Sequence, residues 1–199
     1  MGQMKITRKK GFTVAELLIV VGIIAVLVAI AIPVFRHKAE KAKEAYDIYT
    51  MRQAASAAID LYYAGIHDGA SAKAAGLYWW NGDKPEKYGP DTNAAGAYDP
   101  STGRFYATRG ELPGGYTGYG KGTTINGGTK FSWGNTNRDA YKADADYTKA
   151  VVMVSIYPYT NPPRIDVYWK NNDKEKGVDY VGGHHVSNDP DYSIRIYLN

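Results

Sequence analysis

A single carboxylate stands at the head of the longest apolar segment of this 199-residue chain. Glu16 is the only ionisable side chain between Phe12 and Phe35, where Leu, Ile, Val and Ala dominate the sequence. A carboxylate in an apolar environment is costly unless a group of opposite charge pairs with it, and such pairing also selects register. Either Glu16 lies at a membrane interface, where a charge costs less, or a group of opposite charge pairs with it.

Other residues in the chain could do chemistry, with weaker patterns. Asp139, Asp144 and Asp146, with Asn137 nearby, offer oxygen ligands for calcium, although their spacing is not that of an EF-hand loop. Solvated loop acids are the alternative interpretation. The chain has no cysteine, which excludes disulfides, zinc-thiolate sites and a cysteine nucleophile. Since no catalytic constellation is evident either, we expect no enzyme and no cofactor, with calcium as the one candidate.

Aromatic residues are abundant, with 18 tyrosines and four tryptophans. Trp79 and Trp80, together with Tyr116 and Tyr119 among glycines, could form a flat platform that binds sugars or surfaces. Packing in the core or between subunits would explain the same residues. Adhesion through these side chains is therefore one of two open interpretations.

The apolar segment has the length of a membrane span. Leu17–Phe35 carries no charge, and its 19 residues would rise about 28 Å as a helix, close to the bilayer thickness of ~30 Å. Basic residues precede the segment at Lys5, Arg8, Lys9 and Lys10, which predicts a cytoplasmic N-terminus and an exported C-terminal part.

Three interpretations of this segment compete. Ala29-Ile30-Ala31 has the small-x-small form of a secretory cleavage site, which would release a soluble exported protein. An uncleaved membrane anchor is the second interpretation. Neither of the two explains why a carboxylate should open the apolar segment.

The third interpretation is a resemblance to the type IV pilins and the pseudopilins of type II secretion systems. Residues 9–16, Lys-Lys-Gly-Phe-Thr-Val-Ala-Glu, followed at once by an apolar run, are similar to the prepilin signal of that family. The resemblance implies that prepilin peptidase cuts between Gly11 and Phe12 and methylates the new amine of Phe12. It also implies that Glu16, the fifth residue after the cut, neutralises the N-terminal amine of a neighbouring subunit.

Pro33 fits the same resemblance, because family members commonly have a proline 22 residues after the cut, where the helix curves or unwinds. A proline inside a helix removes one hydrogen bond and bends or locally melts the helix. Gly22 is a second candidate for a flexible point, whereas Ala25 occupies the position at which many members have a glycine.

The positive net charge of +4 belongs to the leader. Residues 1–11 hold four basic side chains and no acid, so the remainder has equal numbers of basic and acidic residues. Net charge therefore gives no support to a nucleic-acid partner.

The remaining sequence predicts an α+β fold with a long N-terminal α-helix. We expect a leader over residues 1–11 and a helix over 12–64, of which 12–35 span the membrane or form a filament core. A long Gly/Tyr-rich variable loop region, 65–148, follows with short strands around 77–80, 103–107 and 130–133. The second half of the helix should pack on a C-terminal antiparallel β-sheet, 149–199, with strands over 150–157, 164–170 and 192–198.

The resemblance thus implies a structural subunit, in first place the major pilin of a type IV pilus for adhesion or motility. It implies a homo-polymer joined by N-terminal helices, prepilin peptidase, and an inner-membrane assembly platform and motor as partners. The precursor would lie in the cytoplasmic membrane with its C-terminus outside, and the mature protein in an extracellular filament. A pseudopilin of a secretion or DNA-uptake system and an exported monomeric carbohydrate-binding protein are the alternatives.

Overall fold

The computed structural model describes residues 11–81, 89–133, 138–172, 180–183 and 189–199. The predicted leader, apart from Gly11, and the calcium candidate neighbour Asn137 lie outside the described residues.

A single helix of 50 residues, α1 (Val14–Tyr63), accounts for a quarter of the chain. It starts after Thr13, whose side chain accepts a hydrogen bond from the Glu16 backbone N–H. It stops at Gly65, whose φ of 97° is a left-handed conformation that favours glycine. Both ends agree with the predicted helix to within two residues.

The helix is continuous through both residues at which a break was predicted. Gly22 and Pro33 lie inside α1 with helical residues on either side. Pro33 has no N–H to offer to the carbonyl of Ala29, but the turns before and after it keep their own hydrogen bonds. A break at Pro33 or Gly22 in an assembled filament stays a prediction.

The apolar part of α1, through Phe35, is not buried by the rest of the described chain. The large apolar side chains from Phe12, just before the helix, to Phe35 range in exposure from 47% at Val28 to 88% at Phe12. The helix contains a window long and apolar enough to cross a membrane, with a mean hydropathy of 3.2 and no burial inside the protein. This half therefore needs lipid or other copies of the chain to cover it.

The second half of α1 packs on a sheet through small and apolar side chains. Ala54, Ala55 and Ala58 are fully buried, and Met51 and Ile48 extend the same face. Three alanines on one face let the helix approach the strands closely, since they project little beyond the backbone. A short helix, α2 (Gly69–Ala74), follows and is capped by Asp68.

The sheet is antiparallel in every pairing. Its strands are β1 (Tyr78–Trp80), β2 (Asn93–Asp99), β3 (Arg104–Tyr106), β4 (Ala150–Tyr157), β5 (Arg164–Asn171) and β6 (Ile194–Tyr197). The order is β1-β2-β4-β5-β6, with β3 pairing to the other half of β2. Helix α1 lies against β4 and β5, so the predicted α+β arrangement is confirmed.

The sheet draws more from the predicted loop region than expected. Strand β2 lies beside β4 and is almost wholly buried, although its sequence, Asn-Ala-Ala-Gly-Ala-Tyr-Asp, has little intrinsic β preference. Its Gly96 fits because an added Cβ would meet Tyr106 O at 2.8 Å. The strand expected at 130–133 is instead a single bridge between Ser132 and Asp139.

Candidate functional site

The carboxylate of Glu16 closes the start of its own helix. Its Oε2 atom accepts hydrogen bonds from the Thr13 backbone N–H, at 2.8 Å, and from the Thr13 hydroxyl, at 2.9 Å. With the bond from the Glu16 N–H to Thr13 Oγ1, this is a capping box, which satisfies N–H groups that the first turn leaves unpaired. The Thr-x-x-Glu spacing is visible in the sequence and predicts such a box, although our sequence reasoning overlooked it.

Gly11, Phe12 and Glu16 lie next to one another at the exposed tip of the structure. Phe12 precedes the helix, Gly11 precedes Phe12, and each of the three residues is exposed. An exposed peptide bond outside regular secondary structure is open to a peptidase. The roles predicted for these three residues in cleavage, methylation and assembly remain predictions.

A row of three buried acids on α1 is a feature that the sequence analysis missed. Glu40, Glu44 and Asp47 are 4%, 0% and 0% exposed, and their spacing of four and three residues places them on one helix face. We refer to these three residues as the acid row. Acids are rarely buried unless hydrogen bonds or opposite charges satisfy them, so the acid row must have partners.

Most partners of the acid row are backbone N–H groups of one loop, residues 121–129, here called the helix-binding loop. Asp47 accepts from Lys121 N–H at 2.8 Å and from Gly122 N–H at 2.7 Å. Glu44 accepts from Gly127 N–H at 2.6 Å and from Thr129 N–H at 3.0 Å.

Glu40 completes the row with side-chain partners. Its Oε2 accepts from the Thr123 hydroxyl at 2.8 Å and from the Thr123 N–H at 3.2 Å, and Lys43 pairs with Oε1 at 2.6 Å. Charge-assisted hydrogen bonds of this kind are stronger than those between neutral groups. The acid row therefore fastens the helix-binding loop to α1 just beyond the predicted membrane segment.

Glycines allow this loop to lie against the helix. An added Cβ at Gly127 would lie 2.4 Å from the backbone nitrogen of Lys41. One at Gly122 would lie 2.3 Å from the Tyr141 hydroxyl. The Lys41 backbone and the Tyr141 side chain thus leave no room for a side chain at these two positions. The glycines of this region therefore serve close packing rather than flexibility.

Burial and hydrogen bonding act in opposite directions on the acid row. Burial raises the pKa of Asp47 from 3.8 to about 6, against the hydrogen bonds from Gly122, Lys121 and Tyr141 that lower it. Burial also raises the pKa of Glu40, but its bonds from Lys43 and Thr123 outweigh that effect and leave the pKa lowered. The Asp47 contribution to stability is therefore greatest below about pH 4 and is lost as the pH rises through about 6. The Glu40 contribution is present above its ordinary pKa of 4.5 and is lost as the pH falls below that value.

The predicted aromatic platform is divided by the fold. Trp80 and Tyr116 are exposed, whereas Trp79 is half-buried and packs against the core near Gly69. Tyr119 also packs into the core, where its hydroxyl accepts from the Val152 N–H at 2.7 Å. The four side chains therefore do not share one exposed surface, because Tyr119 is used inside the protein.

The three calcium candidates do not form one group of ligands among the described residues. Asp146 accepts hydrogen bonds from the N–H and hydroxyl of Thr148, at 2.9 and 2.7 Å. Asp139 and Asp144 line one polar cavity of about 430 Å³ together with Asn126. Among the residues that the structure describes, no group of three or more Asp, Glu or His side chains is placed to hold a metal ion. A calcium site stays a prediction.

The geometry defines a class of protein: a compact head fastened to a long helix whose apolar first half is fully uncovered. A family model for the prokaryotic N-terminal methylation motif matches residues 6–32. The chain therefore carries the type IV pilin/pseudopilin signature, which supports a pilin-like or pseudopilin protein that is structural rather than enzymatic. The comparisons with curated proteins and with solved structures gave no match.

Proposed function

We propose that the chain is the precursor of a major type IV pilin. The observation that carries the proposal is the methylation motif joined to an apolar half-helix with no cover in its own chain. Prepilin peptidase cuts between Gly11 and Phe12 and methylates the Phe12 amine. The precursor waits in the cytoplasmic membrane with its head outside, and a platform and motor move it into an extracellular filament.

In the filament the apolar halves of α1 pack against one another. Side chains exposed by 47% to 88% in the single chain then become a shared core. Since lipid covers these side chains before assembly, most of the burial gain is an exchange of one apolar neighbour for another. Specific pairing must therefore select the right register, which is the role proposed for Glu16.

Glu16 can take this role by exchanging partners. In the single chain its Oε2 is occupied by Thr13 of the same helix. The methylated amine of a neighbouring Phe12 is a full positive charge, and a charged partner in a low-dielectric core outcompetes neutral N–H and hydroxyl donors. The capping box would hold Glu16 at the helix start until that amine arrives.

A test of processing is mass spectrometry of the mature N-terminus from cells that express the whole chain. We expect the mature protein to begin with N-methylated Phe12. A start at Ile32, after the Ala29-Ile30-Ala31 site, would contradict the proposal and favour an exported monomer. Uncleaved Met1 would indicate a simple membrane anchor.

The system is tested separately by electron microscopy of cells that lack this chain. Loss of long surface filaments supports the major pilin. Intact surface filaments together with a defect in secretion or DNA uptake would support a pseudopilin, which shares the same signature. Adhesion and motility are then measured on the same cells.

A further inference from the structure

The helix-binding loop contains an Asn-Gly-Gly sequence at Asn126, Gly127 and Gly128. In any Asn-Gly pair, the backbone nitrogen of the glycine can attack the side-chain amide carbon of the asparagine and form a five-membered imide. Glycine offers no side chain to hinder that attack. The chain has a second such pair, Asn81-Gly82, so the Asn-Gly sequence alone does not distinguish Asn126. A difference in reactivity must come from the residues around Asn126 in the fold.

The attacking nitrogen at Gly127 already faces a base. Its N–H donates to Glu44 Oε1 at 2.6 Å, and Glu44 is completely buried. The Thr129 N–H holds the second carboxylate oxygen at 3.0 Å, which fixes the orientation of the first. A general base must lie within hydrogen-bond distance of the proton that it removes, and Glu44 meets that condition.

The attacked amide faces a donor. The Gly128 N–H donates to Asn126 Oδ1 at 2.6 Å, where negative charge develops when the amide carbon becomes tetrahedral. His37 Nδ1 lies 3.0 Å from the Asn126 backbone oxygen, which ties that residue to α1. Asn126 itself is exposed, so ammonia can leave and water can enter.

We propose that Asn126-Gly127 is a self-modification site, at which Glu44 promotes deamidation of Asn126. The Gly127 nitrogen forms a bond to Asn126 Cγ, and the Cγ–Nδ2 bond breaks. The Gly127 proton passes through the Glu44 carboxylate to the leaving nitrogen, which departs as ammonia. Water then opens the imide at either carbonyl and gives aspartate or isoaspartate at position 126.

The product of deamidation alters the helix-binding loop next to its hydrogen bond with Glu44. A new negative charge appears one residue away from the bond between Gly127 and Glu44. Isoaspartate also adds a carbon to the backbone and displaces the Gly127 N–H from its acceptor. Both changes weaken the attachment of the helix-binding loop to α1, so older subunits would hold their loop less firmly than new ones.

The test compares deamidation rates in the full chain in detergent, folded and denatured, at the same pH and temperature. Trypsin cuts after Lys121 and Lys130, so peptide 122–130 reports Asn126 alone by mass spectrometry. We expect faster deamidation in the folded protein than in the denatured protein, by an amount that can approach the roughly hundredfold effect of a positioned base. Slower reaction in the folded chain would overturn the proposal, because Glu44 would then only restrain the amide.

The variant Glu44→Gln removes the base and keeps a side chain of similar shape. We expect its folded rate at Asn126 to fall toward the denatured rate. Glu40→Gln is the matched control, since the Glu40 carboxylate accepts from Thr123 of the same loop, whereas the Gly127 N–H donates to Glu44. The rate in this control should stay close to that of the unaltered chain. An unchanged or faster rate in Glu44→Gln overturns the proposal. If Glu44→Gln fails to fold, the deamidation rates of the folded and the denatured native chain still test the proposal.

Discussion

At the scale of single residues, Glu16 shows how one carboxylate serves two states of the same chain. It caps its own helix through Thr13 before assembly, and we propose that it binds the amine of another copy afterwards. A cap is worth about 1 kcal/mol, whereas an unpaired charge in an apolar core costs several times that amount. We therefore expect a substitution of Glu16 to act mainly through the loss of pairing between copies of the chain, and less through the loss of the cap.

Substitutions at Thr13 and Glu16 separate the two roles. In cells with no unaltered copy, Glu16→Leu should abolish long filaments, because no carboxylate remains to meet the Phe12 amine. Thr13→Ala should loosen the first turn of α1 and leave filaments present, since Glu16 is still available for pairing. Filaments are counted by electron microscopy, and membrane levels of each precursor are measured by immunoblotting. Normal filaments made by Glu16→Leu alone would contradict the pairing mechanism.

The sequence reveals Glu16 but hides the acid row, for a physical reason. A lone charge within an apolar run is conspicuous, whereas Glu40, Glu44 and Asp47 stand among lysines on an amphipathic helix, where acids are normally solvated. Their burial depends on a loop that lies 74 to 85 residues further along the chain. No local pattern in the sequence contains that contact.

At the scale of elements, periodicity predicts the long helix and strands β4 and β5 well. Each carries its own signal, an uninterrupted apolar run for α1 and β-branched or alternating residues for the two strands. Strand β2 carries no such signal. Its Ala and Gly residues do not favour a strand, but they are small enough to pack beside β4 and under the Leu77 side chain. Tertiary packing overrides propensity at that position.

The contact between the helix-binding loop and α1 predicts the effect of a single added methyl group. Gly127→Ala would place a carbon 2.4 Å from the Lys41 backbone nitrogen, which cannot move without distorting α1. We expect a loss of about 1–3 kcal/mol in the free energy of unfolding. Gly114→Ala is the control, because its nearest neighbour, Thr117, would lie at an ordinary 3.6 Å.

Chemical denaturation of the two variants in detergent, followed by circular dichroism, measures this difference. The Gly127→Ala protein should unfold at lower denaturant concentration than both the native chain and Gly114→Ala. Equal stability of the two variants would show that the helix-binding loop does not rest on α1 in the way described.

At the scale of the whole molecule, the described chain divides at the level of the acid row. On its N-terminal side the apolar part of α1, through Phe35, is not buried by the described chain, and on its C-terminal side one helix face is buried against the sheet. The contact between His37 and Asn126 is the point nearest the N-terminus at which a hydrogen bond described here joins α1 to the head. Membrane insertion and head folding therefore draw on separate sets of residues.

This division predicts the behaviour of a fragment that begins at Arg36. Because residues 12–35 contribute no buried contact to the head, their removal should leave the thermal unfolding temperature of the head essentially unchanged. The fragment should also be soluble without detergent and monomeric in size-exclusion chromatography with light scattering, since the apolar cover that drives association is gone. A fragment that unfolds well below the full chain, or that still forms large assemblies, would show that the head depends on the apolar half-helix or carries its own assembly surface.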